Sequence, residues 1–393
     1  MVNSGEMAGA TSTTTLFKVG IAVLMVTTGS LNTIAAKWAD SIKSDGYLFN
    51  HPFFQAACMF LGEFACLGAY YILRLYQRRK AENENGPAVP AAPPISPFIF
   101  LPPAACDVLA TSIMYIGLNM TLASSFQMLR GAVIIFTGLL SVAFLKTSLK
   151  PFKWFGMLIV CLGLVIVGVA SIVYEDPKDV DINGMITGDL LIIIAQIIVA
   201  IQMVYEQKYL TQYDVHALYA VGYEGLFGLS ILTFLIPIFY FIKVPVAFSP
   251  YADHRLEDIL LVFQQIWDQP LIMVPLLMTV VSIALFNFAG ITVTQNLSAT
   301  TRMVLDSVRT LIIWMLSIPL FDEKFIPWQI AGFFFLIMGM CIYNDMLFGP
   351  FMRSRLPVDQ CWSPFCLNFW GVVEEDFMRD TEALLVDDEP QQN

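Results

Sequence analysis

The chain has 393 residues, of which 57% are apolar and 13% are charged, and its formal net charge is −11. An ordinary soluble protein is about 25% charged, so this composition excludes a soluble globular fold and indicates a polytopic membrane protein. Residues 371–393 hold eight acidic side chains and one arginine, which places −7 of the −11 on a tail. The sequence has no basic patch, so we expect no nucleic-acid partner.

Ten apolar runs follow one another along the chain, and a run of about 20 residues is long enough to cross a bilayer as a helix. The runs do not alternate with a period of two residues, which favours helices over a closed barrel. The predicted fold class is therefore an all-α polytopic membrane protein. The ten predicted helices are 16–38, 52–76, 97–118, 124–145, 152–174, 188–209, 219–243, 270–295, 299–320 and 327–348.

Lysine and arginine set the predicted orientation. If the N-terminus is cytosolic, the cytosolic segments hold twelve of these residues and the opposite side holds six. Both termini are therefore predicted to be cytosolic. Residues 1–15 form a cytosolic N-terminus, 81–96 a flexible cytosolic linker and 349–393 an acidic cytosolic tail.

The fourth and fifth runs align with the ninth and tenth at a constant shift of 176 residues. The shift superposes Pro151 on Pro327, Gly156 on Gly332, Gly163 on Gly339 and Arg130 on Asp306. We therefore predict two five-helix repeats, 16–174 and 188–348. Because five is odd, the repeats enter the membrane in opposite senses, as in secondary transporters whose solute site lies near the membrane midplane.

Several stretches are similar to the drug/metabolite transporter superfamily. They are "LMVTTGSLNTIAAKWAD" (24–40), "FLGEFACL" (60–67), "MTLASSFQMLRGAVIIFTGLLSVAFL" (120–145), "GDLLIIIAQIIVAIQMVYEQKY" (188–209), "EGLFG" (224–228) and "FNFAGITVTQNLSATTRMVLDSVRTLIIW" (286–314). Within that superfamily the chain resembles the F branch of the solute carrier 35 family, which is nucleotide-sugar-transporter-like. The resemblance covers roughly residues 16–348. It implies ten helices as five plus five, and alternating-access transport of an organic solute in a cavity lined by helices one to four and six to nine.

Ionisable side chains inside the apolar runs cost about 2.5–3.5 kcal/mol each to insert, so we expect them to face a cavity or a partner. Arg302, Asp306 and Arg309 share one helix face by their spacing. A guanidinium binds carboxylate or phosphate in a bidentate manner. The candidate cavity residues are Asn32, Glu63, Gln127, Arg130, Gln196, Glu206, Asn287, Asp306 and Arg309. Asp107, Glu224 and Arg302 are predicted to be structural or gate charges.

These patterns predict a secondary transporter of a small organic solute by alternating access, with an anionic substrate or proton coupling. The alternative is a transporter-fold membrane protein that acts mainly as a scaffold or regulator of a partner protein, its charges forming a salt-bridge network that locks the helices. The sequence contains no GxxxxGK[ST], GxSxG or HExxH motif, and its three histidines lack metal-ligand spacing. We therefore expect no enzyme activity, cofactor or metal site.

The acidic tail contains "DTEALL", in which Asp380, Leu384 and Leu385 fit the dileucine pattern that cytosolic clathrin adaptors read. This pattern predicts a lysosomal or late endosomal membrane, with the Golgi or another intracellular membrane as the alternative. The expected partners are the lipid bilayer, a small-molecule solute, clathrin adaptors and a second copy of the chain as a homodimer.

Three further positions are candidates for modification. Asn119 begins the sequon "NMT" and is a candidate glycosylation acceptor. Cys361 and Cys366 follow the last predicted helix, which is the setting of juxtamembrane palmitoylation.

Overall fold

The computed structural model describes residues 4–44, 46–83, 96–145, 149–174, 182–213, 216–244, 251, 253–296, 299–321 and 327–343. Its helices are α1 Ser4–Ser41, α2 Pro52–Asn83, α3 Leu101–Met120, α4 Ala123–Leu129, α5 Val133–Leu145, α6 Pro151–Tyr174, α7 Ile182–Tyr213, α8 Ala217–Phe239, α9 Ile259–Asp268, α10 Met273–Asn296, α11 Ala299–Leu320 and α12 Pro327–Tyr343. Between α1 and α2, strands β1 Lys43–Ser44 and β2 Tyr47–Leu48 pair antiparallel as a short hairpin.

The chain is an all-α polytopic membrane protein. Eight helical segments of the described part are long and apolar enough to cross a membrane, and they correspond to the first eight predicted helices. Large apolar side chains such as Val165 and Phe234 are exposed on their outer faces, as expected where lipid replaces water. In α11 and α12 the apolar stretches are shorter, Val308–Leu320 and Pro327–Tyr343, so the count of ten crossings stays a prediction.

Helices α1 and α2 are longer than predicted: α1 begins at Ser4, and α2 ends at Asn83, inside the range predicted as a flexible linker. Two further features differ from the helices predicted from the sequence. The fourth predicted helix, 124–145, is interrupted by a 3-10 turn at Arg130–Ala132 that separates α4 from α5. Helix α9 was not predicted, because its ten residues are too few to cross a bilayer. It is amphipathic: Val262 and Gln265 are buried, whereas Trp267 is 84% exposed. The side chain of Asp258 caps its first turn by accepting hydrogen bonds from two backbone amides.

Helix α9 packs against the hairpin at one end of the bundle. Phe49 after the hairpin, Val262 of α9 and Leu276 of α10 belong to one buried cluster. The Ser44 hydroxyl also donates to the Gln265 carbonyl at 3.3 Å. We call this the hairpin end, and we call the opposite end, where α7 and α12 finish, the tail end.

Most of the tight helix–helix packing is antiparallel. Asn32 of α1 meets Ser282 of α10, and Gly29, one turn earlier on α1, meets Phe286 farther along α10. The pairs α2–α8, α3–α7 and α6–α12 are the other extensive contacts, and their facing residues also run in opposite directions. If each helix is replaced by its counterpart in the other predicted five-helix half, the pairs α2–α8 and α6–α12 are unchanged and the pair α3–α7 becomes α10–α1. The pattern of helix contacts is therefore symmetric between the two predicted halves.

Glycines make the α6–α12 contact possible. A Cβ on Gly156 would lie 2.9 Å from the carbonyl oxygen of Gly339, and a Cβ on Gly163 would lie 2.9 Å from that of Gly332. The backbones therefore touch where both helices lack side chains. The shift of 176 residues exchanges these two contacts. That reciprocity is what an inverted repeat requires at this pair, although the division of the whole chain into repeats stays a prediction.

Candidate solute-binding cavity

A cavity of about 230 Å³ lies between helices of the two predicted halves. Segments from α4 to α5 form one wall, and α7, α11 and α12 form the others. Its polar lining consists of Gln127, Arg130, Thr137, Gln196, Asp306, Arg309, Thr310 and Tyr343. Five of the nine candidate cavity residues, far apart in the sequence, are thus brought to one site.

Helix α11 contributes one negative and one positive side chain to this site, Asp306 and Arg309. Arg309 Nε lies 3.4 Å from Asp306 Oδ1, and the Arg309 side chain is 11% exposed against 35% for Asp306. The Arg309 guanidinium also stands over the Phe286 ring, 4.9 Å from its centroid. A Cβ on Gly29 would lie 2.5 Å from Arg309 Cδ, so a glycine on α1 gives this arginine its room.

Arg130 supplies the second guanidinium. It lies where the helix tightens into the 3-10 turn, a local departure that often marks a functional hinge or a strained segment. Its guanidinium carbon is 5.8 Å from the centroid of the Phe126 ring. Within the described part of the chain, no carboxylate lies within 4.0 Å of this side chain. One turn earlier, buried Gln127 donates to Thr33 Oγ1 at 2.9 Å.

The rest of the cavity wall is apolar. Three polar atoms of the lining, Thr137 Oγ1, Asp306 Oδ1 and Arg309 Nε, are buried without a hydrogen-bond partner among the described residues, the last two being joined by their ion pair. Such atoms are expected to be satisfied in a native protein. The apolar lining consists of Met128, Gly131, Val133, Ile134, Val199, Met203, Phe333, Leu336, Ile337 and Met340.

Three of the remaining cavity candidates lie outside the lining. Asn32 accepts a hydrogen bond from the Ser282 hydroxyl at 3.3 Å and so joins α1 to α10. Glu63 is buried where α2 meets α8, against the position of Gly225. Asn287 is half-buried on α10. The side chain of Glu206 falls outside the described residues.

The predicted structural or gate charges occupy separate places. Asp107 accepts a hydrogen bond from Thr111 at 2.9 Å within α3. Glu224 is buried on α8. The backbone of Arg302 lies in α11, but its side chain is outside the described residues. Asp380, Leu384, Leu385, Cys361 and Cys366 also lie outside the described part.

Asn119 lies in the last turn of α3. Its side-chain amide is bonded to that of Asn50 and, with the amide group rotated, also reaches Asp40. Glycosylation there stays a prediction, and this engagement of the amide disfavours it.

A network at the hairpin end was missed by the sequence reading. His51, 1% exposed, holds Glu257 Oε1 at 2.6 Å through Nδ1 and Gln265 Oε1 at 3.1 Å through Nε2. Tyr251 stacks on its ring and lies 3.2 Å from Nε2. Burial raises the pKa of the Tyr251 hydroxyl to about 12, which keeps it neutral. We call His51, Tyr251, Glu257 and Gln265 the hairpin-end network.

The Glu257 side chain also caps the first turn of α2. Its Oε2 accepts from the backbone amides of Phe53 at 3.0 Å and Phe54 at 3.4 Å, at the start of α2. A carboxylate at a helix N-terminus satisfies unpaired amides and complements the helix dipole. The sequence offered one signal for this network, a histidine before the proline that begins α2, but its partners lie about 200 residues away.

More polar contacts join helix ends on the same side. Lys37 Nζ donates to the carbonyls of Leu118 at 2.8 Å and Thr121 at 2.9 Å. The Thr121 hydroxyl donates to Asp189 at 2.7 Å, which connects α3 to the start of α7. The hairpin end is therefore closed by side-chain contacts between α1, α3 and α7 as well as by the hairpin-end network.

The helical bundle, its intramembrane charges and the cavity between the halves define a transporter-like polytopic membrane protein. Residues 19–253 match the family described as CRT-like, chloroquine-resistance transporter-like, and the chain belongs to this family. The predicted resemblance to the F branch of solute carrier 35 is also confirmed.

Known relatives cover most of the chain. It is 51% identical to Solute carrier family 35 member F6 of Homo sapiens over 350 residues, or 87% of this chain and 93% of that protein. It is 51% identical to the protein of the same name in Pongo abelii over 349 residues, or 86% and 93%. One solved crystal structure shares the fold with a TM-score of 0.50 and 12% identity, covering 88% of this chain and 99% of that chain.

Proposed function

We propose that this chain is a secondary transporter that moves a small organic solute by alternating access. The observation that carries the proposal is the convergence of Arg130, Asp306 and Arg309 on one cavity between the predicted halves. Intramembrane ionisable residues that face a cavity mark solute or ion pathways. A scaffold needs no such cavity, and a dry, salt-bridged interface between the halves would have favoured that alternative.

The contacts support a state that is closed at the hairpin end. Asp189 near the start of α7 is held there by Thr121, whereas Met203, more than three turns later on α7, lines the cavity. The lining also reaches Tyr343, the last residue of α12. The cavity therefore lies toward the tail end, which is the cytosolic side in the predicted topology.

Alternating access requires the hairpin end to open while the tail end closes. Opening there would separate α1 from α3 and α4, and would break contacts such as Lys37 with Leu118 and Gln127 with Thr33. Asp306 is the carboxylate among the described lining residues, so we propose it as the group through which a proton gradient would act. Uptake by reconstituted protein that ignores an imposed pH gradient would exclude this coupling.

Substituted-cysteine labelling tests the access cycle. In full-length protein with its native cysteines replaced, Thr137→Cys should react with an impermeant maleimide added at the tail-end face, because Thr137 lines the cavity. Gln127→Cys should react from the hairpin-end face, and faster when Glu257→Ala weakens the closure. If Thr137→Cys reacted from neither face, or Gln127→Cys never reacted from the hairpin end, the proposal would be wrong.

A comparison of metabolites tests solute movement directly. Intracellular vesicles from cells that lack the protein are compared by mass spectrometry with vesicles from cells rescued by the wild type, Arg309→Gln or Arg78→Gln. Arg78 is an exposed arginine at the end of α2, outside the cavity. We expect wild type and Arg78→Gln to restore the solute pool and Arg309→Gln to fail at equal protein level. Identical profiles with and without the protein would favour the scaffold.

A further inference from the structure

The charges that line the cavity determine the sign of the charge on the ligand that it can bind. Among the described lining residues there are two guanidiniums, Arg130 and Arg309, and one carboxylate, Asp306. Asp306 and Arg309 already form an ion pair. Among the described lining residues one positive charge therefore remains, and in a site shielded from water it is best balanced by one negative charge from the ligand.

Arg130 is the guanidinium available for that charge. Its contact on the protein side is the ring of Phe126, and the described carboxylates are beyond ion-pair distance. The planar fork of arginine presents paired donors that match the two oxygens of a carboxylate or a similar anion. The buried Thr137 hydroxyl, without a partner among the described residues, adds a hydrogen-bonding group to the same cavity.

The remaining surface requires an apolar body on the ligand. Side chains such as Val199, Phe333 and Leu336 line the cavity. Three methionines, Met128, Met203 and Met340, contribute flexible thioethers that adapt to varied apolar shapes. A polyanion such as a nucleotide would find one uncompensated guanidinium, and the described lining residues offer no second uncompensated cation for its other charges. The volume of about 230 Å³ lies just below the usual range of ligand pockets, roughly 300–1,000 Å³, which favours a small ligand.

We infer that the cavity binds a small organic anion with a single negative charge on an apolar body, its charged group on Arg130 and its body against the methionine-rich wall. This assignment rests on the proposed function, since it identifies the cavity as the solute site. Both the negative charge and the apolar body of such a ligand contribute to its recognition by the cavity.

A set of probes with one body and different charges tests the assignment. The full-length protein in lipid nanodiscs is heated with phenylbutyrate, phenylbutanol, phenylbutylamine or the dianion phenylsuccinate, and its unfolding is followed by tryptophan fluorescence. Phenylbutyrate should raise the unfolding temperature in a saturable manner, because a ligand that binds the folded state stabilises it. The alcohol, the amine and the dianion should produce smaller shifts at equal concentration.

Variants of Arg130 then test whether this residue binds the charged group of the ligand. Arg130→Gln should weaken phenylbutyrate binding by about tenfold or more, the usual effect of losing a charge-assisted hydrogen bond. Arg130→Lys should have an intermediate effect, and Arg78→Gln should bind as the wild type does. If Arg130→Gln does not fold, the comparison of Arg130→Lys with the control Arg78→Gln still tests the assignment. A guanidinium positioned on the ligand predicts weaker phenylbutyrate binding by Arg130→Lys and unchanged binding by Arg78→Gln.

Three outcomes would overturn the assignment: equal or larger shifts by the amine or alcohol, unchanged phenylbutyrate binding by the Arg130 variants, or no shift of the wild type by phenylbutyrate. None of these affects the cysteine-labelling test, which needs no ligand. Failure of the ligand class and failure of the transport proposal are therefore distinguishable.

Discussion

Replacing Glu257 by alanine should destabilise the hairpin end more than any exposed substitution nearby. The residue is 2% exposed, and its two oxygens bind the His51 ring and the first amides of α2, those of Phe53 and Phe54. Losing a helix cap costs roughly 0.5–2 kcal/mol. Leaving a buried hydrogen-bonding group without a partner costs about 1–3 kcal/mol. We therefore expect a loss of roughly 3 kcal/mol in the free energy of unfolding.

The assay is thermal unfolding of the purified full-length protein in nanodiscs at one heating rate, followed by tryptophan fluorescence. Glu257→Ala should lower the unfolding midpoint by several degrees. Glu257→Gln should have a smaller effect, because an amide oxygen still caps α2. The matched control is Asp253→Ala in the same loop, since its side chain is 64% exposed and pairs with Arg255 at 3.1 Å. Exposed pairs of this kind contribute about 0–1 kcal/mol.

A double-mutant cycle tests whether His51 and Glu257 stabilise the hairpin end through their contact with each other. His51→Ala and Glu257→Ala should be non-additive, because each removes the other's partner. Additive losses, or a Glu257→Ala midpoint equal to that of Asp253→Ala, would refute the reasoning that these two side chains hold the hairpin end together.

The remaining predictions concern packing, sorting and modification. Gly163→Leu should sharply reduce the yield of folded protein by fluorescence size-exclusion chromatography, because its Cβ would meet the α12 backbone; Gly168→Leu is the control, since no described atom lies within 4 Å of a Cβ there. Leu384→Ala with Leu385→Ala should move the protein from lysosomal staining to the plasma membrane, and unchanged staining would contradict the proposed dileucine signal. Asn119→Gln should leave electrophoretic mobility unchanged, whereas a faster band would show that the sequon is used.

The hairpin-end network has a functional consequence within the proposed transport cycle. It ties the start of α2 to the loop before α9 and to α9 itself, which lie about 200 residues farther along the chain. Opening at that end would require this buried network to move as a unit or to separate. Its stability should therefore influence how often the cavity reaches the hairpin-end face, which is why the Gln127→Cys labelling rate is measured together with Glu257→Ala.

The sequence by itself determined the class of protein and the residue types of the site. Apolar runs longer than a bilayer core leave helices as the way to satisfy the backbone, and the first eight predicted helices correspond to membrane-length helices in the structure. An arginine within such a run is costly unless it has a partner or a cavity. This cost singles out Arg130, Asp306 and Arg309 in the sequence alone.

The tertiary structure decided which of the polar residues share the cavity. Gln196 lines it, whereas Asn32 and Asn287 do not, although all three are amides within apolar helices. Periodicity gives the angular position of a residue on its own helix but not the partner that the helix face meets. That partner depends on close contacts such as Gly163 with Gly332.

The hairpin-end network could not be predicted from the sequence, for the same physical reason. His51 and Glu257 are unremarkable loop residues until α2 and α9 come together, and their significance comes from burial and from a distance of 2.6 Å between their atoms. Local patterns report the cost of inserting a side chain into the membrane. The geometry that offsets this cost is set by contacts between segments far apart in the chain, and these exist only in the folded protein.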